Sequence, residues 1–218
     1  KIKNQINLKK NKKKYEIYGK SFDLSSLIDK IMNSDNDETS SIFENSNHMF
    51  NININKTYLD KSTYVNNLIG NINFVDNKIY KLNLDSVFPN KKKLVLSINI
   101  NKNDEKITTL FTDYPKPLVK KFKFIKGFEE GVLDFYSIKK NNISNSVLKI
   151  DNFKLKEVPI LAKILTLASL KGIADILTGE GIRFTDFEMK FLTKKGLVNI
   201  DEIYAIGPAI SILIDGYL

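Results

Sequence analysis

Apolar and polar residues alternate one for one through most of this chain, as in "FNINI", "YKLNLD" and "LVLSINI". Only an extended strand brings every second side chain to one face, so alternation commits each such segment to a sheet with one face covered and the other wet. The register follows residue by residue. Phe50, Ile52 and Ile54 share a face, as do Ile72 and Phe74, then Tyr80, Leu82 and Leu84, then Leu94, Leu96, Ile98 and Ile100. Further on come Leu148 and Ile150, Phe153 and Leu155, the set Phe187, Met189 and Phe191, and last Ile210, Ile212 and Ile214. Each run is about 4–8 residues between Asn, Asp or Gly turns, the pattern of antiparallel strands rather than of alternating βαβ units. The expected fold is mainly β with minor α: a long, curved antiparallel β-sheet, apolar on its concave side, with a few short helices. Its inward set is Ile52, Ile54, Phe74, Leu96, Ile98, Phe153, Met189, Phe191 and Ile212, with Asn53, Asn73, Ser97 and Lys190 facing outward.

Three stretches break the alternation. "LSSLIDKIM" carries Leu24, Leu27, Ile28 and Ile31 at helical spacing, which predicts a short helix near 23–32 capped by Ser21 or Asp23. "PLVKKFKFI" fits a helix through Leu118, Val119, Phe122 and Ile125 and a strand through Phe122 and Phe124; a helix near 115–125 is the preferred reading. The third is "VPILAKILTLASLKGIADILTGEG", Val158 to Gly181. At about 100° per residue, Ile160, Leu161, Ile164 and Leu165 fall on one side, whereas Leu170, Ile173, Ile176 and Leu177 fall on roughly the other. One straight helix cannot bury both stripes, so the segment reads as a C-terminal helical hairpin. Pro159 starts it, Gly172 lies at the break, and Gly179 and Gly181 lead out to a strand at Phe184. Lys163, Lys171, Asp175 and the break argue against a bilayer span, which needs about 20 apolar residues. Two readings stand: the hairpin closes a core, or it turns Ile173, Ile176 and Leu177 to lipid or a partner. The chain is thus expected to be one β segment, 1–155 a meander with two short helices and 156–218 the hairpin with terminal strands. Beginning at Lys1 and ending in "ISILIDGYL", it reads as a fragment of a longer protein.

Lys+Arg 34 against Asp+Glu 25 gives a net charge of +9, dispersed from "KKNKKK" (Lys9 to Lys14) to Lys194 and Lys195. Such dispersal suits a solvated surface, or a field attracting anionic lipid or nucleic acid. With no Cys, disulfides, Cys-bound zinc and thiol catalysis are excluded. His48 is the only histidine, and no G-x-S-x-G elbow accompanies it. "GEG" (Gly179 to Gly181) lacks the third glycine and following helix of a dinucleotide loop. Glu129 and Glu130 are adjacent and on a strand point to opposite faces, so they cannot share a proton. "KKFKFIKGF" alternates base and aromatic as a single-strand nucleic-acid binder would, the weaker alternative. No enzyme activity, cofactor or metal is expected.

The order of elements in the C-terminal third, "VPILAKILTLASLKGIADILTGEGIRF", a strand, a turn at "KKG" and "GPAISILIDG", closely resembles the C-terminal region of bacterial AsmA-like proteins of the YhdP type. Weaker likeness extends back through "YGKSFDLSSLI" (Tyr18 to Ile28) and "GFEEGVLDF" (Gly127 to Phe135). Thr185 stands where the family pattern has an acidic residue, and Glu129 and Glu130 where it has Gly. The resemblance implies a periplasmic β-rich body of a Gram-negative envelope protein, anchored in the inner membrane through a segment outside this sequence. It further implies a hydrophobic groove that moves phospholipid towards the outer membrane. The groove lining would be the inward set named above, the partners a phospholipid or other acyl-chain lipid, a membrane surface and envelope proteins. The competing reading is a non-catalytic β-rich scaffold or interaction module.

Overall fold

The computed structural model describes residues 4–12, 14–25, 47–76, 78–122, 127–156, 181–208 and 210–215. Its strands are β1 (Gln5–Asn11), β2 (Lys14–Asp23), β3 (Met49–Tyr58), β4 (Tyr64–Val75), β5 (Lys78–Val87), β6 (Lys93–Ile100), β7 (Lys106–Thr112), β8 (Phe128–Lys140), β9 (Ile143–Leu155), β10 (Ile182–Lys194), β11 (Leu197–Ile206) and β12 (Ser211–Asp215). They hydrogen-bond in chain order, with β1 and β12 as the two edges. The mainly β expectation holds in this form, with one correction to strand direction. β2 and β3 run parallel, from Lys14 opposite Met49 to Asp23 opposite Tyr58. A parallel pair needs a connection of about a dozen residues or more, and residues 24–48 supply it. Alternation looks the same in either direction, so the pattern alone cannot reveal this. Tight hairpins are antiparallel by necessity: Asn141 and Asn142 join β8 to β9 with φ 50° and 61°, and Lys195 and Gly196 join β10 to β11 with φ 51° and 76°. Two successive positive φ values mark the mirror-image turn that matches strand twist.

The strands are longer than expected. β8, β9 and β10 have 13 residues each, and in β9, as in β4, neighbouring apolar runs fuse through one irregular residue. In β9, Asn152 takes φ 53°, the left-handed region that Asn tolerates. Buried positions then jump from Ile150 to Phe153, a step of three instead of two. In β4 Asn67 (φ 52°) accompanies the same jump between Val65 and Leu68.

Between β7 and β8 lies helix α1 (Lys116–Phe122), where the sequence predicts one. Pro115 starts it, its carbonyl accepting the N–H groups of Leu118 and Val119 at 2.9 and 3.0 Å, and Val119 is buried. The helix expected near 23–32 lies outside the described residues from 26 on. Asp23 nonetheless shows cap geometry, its Oδ1 accepting from the Ser25 N–H at 3.0 Å. The hairpin, with Pro159, Gly172, Ile173, Ile176, Leu177 and Gly179, also lies outside them. Among the described residues no helix is long and apolar enough to cross a membrane.

The chain divides into two compact units, residues 1–111 with 137–142, and residues 112–136 with 143–218. The core of the first is set by Phe50, Ile54, Val65, Leu68, Phe74, Leu82 and Phe88. That of the second is aromatic at one end: Phe153 stacks between Phe128 (5.3 Å between centroids) and Phe184 (5.2 Å), with Phe187 edge-on at 6.2 Å. Gly181 admits no side chain there, since its φ is 82° and a β-carbon would lie 2.6 Å from the Leu155 carbonyl oxygen.

Candidate functional site

Directly opposed residues on paired strands point to the same face, so the registers assemble rows of side chains across each unit. In the first unit Leu8, Ile17, Ile52, Gly70, Leu84 and Leu96 make one row from β1 to β6. Beside it run Lys10, Tyr15, Phe50, Ile72, Leu82 and Ile98. Ile54 continues the same face between Gly19 and Leu68, and Phe74 meets Phe50 edge-on at 5.8 Å. The five residues expected on this face, Ile52, Ile54, Phe74, Leu96 and Ile98, therefore lie together. Ile54 and Phe74 are buried, whereas Ile52, Leu96 and Ile98 keep part of their surface open.

The opposite face is polar. Lys9, Glu16, Asn51, Asn71, Asn83 and Ser97 form a row, in which Asn83 Nδ2 donates to Asn71 Oδ1 at 3.4 Å and Ser97 Oγ bonds Thr109 Oγ1 of β7 at 2.7 Å. Asn53 and Asn73 share this face, as expected.

The second unit repeats the division. Ile150, Phe187, Ala205 and Ile212 form one apolar row, and Leu148, Met189, Ile203 and Ile214 the next. Phe191 follows, opposite Ser146 and Ile200 and stacked on Phe135 at 6.4 Å. Met189, Phe191 and Ile212, all half-buried, are thus neighbours. Phe153 belongs with them, because a β-carbon at Gly131 would meet both Phe153 Cβ (3.0 Å) and Ile150 Cγ2 (3.4 Å). Phe153 and Phe184 are fully buried, so they support the face from its end instead of lining an open surface.

Behind these rows the polar face is cross-linked by charge. Glu188 pairs with Lys149 (2.8 Å) and Lys190 (3.3 Å), and Lys190 also reaches Glu202 (2.9 Å). The hydrogen bond from Lys149 holds the Glu188 carboxyl below its ordinary range, and the bonds that Lys190 donates to Glu202 and Glu188 raise its own pKa. A second mesh forms where β8 starts, β9 ends and β10 starts. Glu129 pairs with Lys156 (2.8 Å) and Lys116 (3.3 Å), and Glu130 with Arg183 (3.2 Å) and Lys154 (3.7 Å). Lys156 first, then Lys116, lowers the Glu129 pKa. The sequence reading placed no partners on these two glutamates, because all four cations are distant in the chain.

Sequence reading also passed over Tyr15 and Ile17, whose alternation in "YEIYG" carries the signal, and Ile6 and Leu8 in "QINL". Among the described residues no group of three or more His, Cys, Asp or Glu side chains is placed to hold a metal ion. What the arrangement offers chemically is a partly open apolar sheet face backed by a polar one, which ion pairs cross-link in the second unit. Comparison with family models, curated proteins and solved structures finds no significant match to this chain.

Proposed function

We propose that the chain is an AsmA-like periplasmic segment whose apolar sheet face carries the acyl chains of phospholipid between the inner and outer membranes. The observation that supports this reading most is the continuity of the apolar rows together with their partial exposure. A row such as Ile17, Ile52, Leu84 and Leu96 stays half-buried along its length, whereas a face serving only as core is sealed by a second layer. A two-chain lipid has on the order of 30 methylenes at about 0.8 kcal/mol each, so its transfer into water is uphill by on the order of 25 kcal/mol. A continuous apolar strip lowers that barrier without a tight site, and it needs no polar constellation. Anchoring in the inner membrane would come from a segment outside residues 1–218.

The alternative, a non-catalytic β-rich scaffold or interaction module of the envelope, draws support from the solid Phe128, Phe153 and Phe184 stack. Photo-crosslinkers at Leu96 and Phe191 in cells separate the two. Lipid adducts by mass spectrometry from both positions are the expected result; adducts with protein alone favour the scaffold. Nucleic-acid binding would appear instead as affinity that falls steeply with salt.

A further inference from the structure

We propose that the polar face of the first unit carries a carbohydrate-binding cleft centred on Tyr18. This inference is independent of the lipid reading, since it concerns the opposite face of the sheet. A cleft of about 530 Å³ opens over β1, β2 and β3, and its polar lining is Gln5, Asn7, Tyr18, Lys20, Asn53 and Asn55. That volume falls in the range of small-ligand sites, about 300–1,000 Å³.

The registers explain how it is built. Asn7 and Asn53 are the direct partners of Tyr18 on its two sides, so the ring stands between two amides with β-carbons about 5 Å away. One step along the same face come Lys20 and Asn55. There β1 passes from Ile6, opposite Gly19, to Gln5, opposite Ser21, and leaves Lys20 with no residue across from it. Irregularities of this kind re-aim side chains beside sites. Gly19 permits the close approach of β1, since a β-carbon would lie 2.1 Å from the Gln5 carbonyl oxygen.

The chemistry narrows the ligand class. Tyr18 is 45% exposed and brings an aromatic ring to the cleft beside groups that both donate and accept. The polar face elsewhere uses such groups internally, as Asn71 with Asn83 and Ser97 with Thr109. Among the described residues the side-chain amides of Asn7, Asn53 and Asn55 have no such partner. A flat ring beside free amides matches a pyranose, whose C–H face stacks on the ring while its hydroxyls bond the amides. Lys20 adds a donor at the rim. No carboxylate lines the cleft, and glycoside hydrolysis uses a pair of them, so the site binds sugar without cleaving it.

The test is a titration of the full 218-residue chain with soluble gluco-, manno- and chito-oligosaccharides, followed by amide chemical shifts. A saturable response to at least one series, centred on Asn7, Tyr18, Asn53 and Asn55, is the expected result. Tyr18→Ala should weaken that binding at least tenfold and Asn53→Ala severalfold. Tyr80→Ala, removing an exposed tyrosine of β5, should leave it unchanged, and thermal unfolding should report all three variants folded. No saturable response to any of the three series overturns the proposal, as does binding that Tyr18→Ala leaves intact.

Discussion

The ring of Phe184 lies almost parallel to that of Phe153, 14° from coplanar with centroids 5.2 Å apart, and both side chains are about 1% exposed. They are direct cross-strand partners on β9 and β10, so each fixes the other's position in the core of the second unit. Replacing either with Ala should destabilise that unit by about 3–5 kcal/mol. The double replacement should fall short of the sum by about 0.5–1.5 kcal/mol, the share that belongs to ring pairing. Phe191→Ala, at a half-buried ring, should do less damage than either. Urea unfolding midpoints for the four variants decide it, and strict additivity would mean that the stacking contributes nothing beyond burial.

Asn152 offers a sharper test of how the long strands are built. Its φ of 53° is open to Gly and adverse to a β-branched residue. Asn152→Gly should be close to neutral, whereas Asn152→Val should lose about 1–2 kcal/mol, the usual penalty of a left-handed L-residue. Equal effects would place the origin of the phase jump elsewhere, in Thr185 opposite or in the Phe153 packing.

These two sites show where the sequence is readable. Within a run, period two is a direct consequence of strand geometry, so the face of Ile52, Ile98 or Met189 follows from spacing alone. The jump from Ile150 to Phe153 is also visible, and the left-handed residue Asn152 lies within it. Strand direction is not encoded in alternation, which is why the parallel pairing of β2 with β3 escapes it. The charge meshes escape for a different reason: Lys154 meets Glu130 only after β8, β9 and β10 have been laid side by side. Nor can spacing alone show that Asn7 and Asn53 flank Tyr18, since that depends on which strands become neighbours.

The ion pairs predict how stability follows pH. The carboxyls of Glu129 and Glu188 are held low chiefly by Lys156 and Lys149, and that of Glu105 chiefly by the Asn101 amide. A folded-state pKa below the unfolded value adds stability that is complete above the unfolded value, about 4.3 for Glu, and is lost as pH falls through the folded one. For Lys149, Lys156 and Lys190 the pKa is raised, so their contribution is complete below about 10.4 and is lost as pH rises through the folded value. The urea midpoint should therefore be flat between about pH 5 and 10 and fall on either side. Glu129→Gln should soften the acid limb and, because Glu129 is also what raises Lys156, the alkaline limb with it. As these groups are solvated, salt should flatten both limbs; an acid limb insensitive to salt and to Glu129→Gln would assign it to other groups.

Ile69 and Ile98 allow the lipid reading to be tested with charge held constant. Ile98 stands on the apolar face in the row of Phe50, Ile72 and Leu82, whereas Ile69 stands on the polar face between Asn53 and Asp85 and is 50% exposed. A lysine at either position removes the same side chain and adds the same charge, so any shared change in membrane attraction or solubility cancels between the two variants. Ile69→Lys should leave stability within about 0.5 kcal/mol, as surface substitutions usually do. Ile98→Lys gives up part of the roughly 1.5–3 kcal/mol that a buried Ile provides, moderated because a lysine stem can lie along the apolar face with its ammonium in water. That ammonium would then interrupt the strip along which an acyl chain is proposed to lie. Lipid adducts from a crosslinker at Leu96 should fall at least tenfold in Ile98→Lys and stay level in Ile69→Lys, with both proteins folded at equal abundance. An equal fall in both would trace the effect to added charge instead of to the face, and no fall in either would leave the apolar rows as structural core alone.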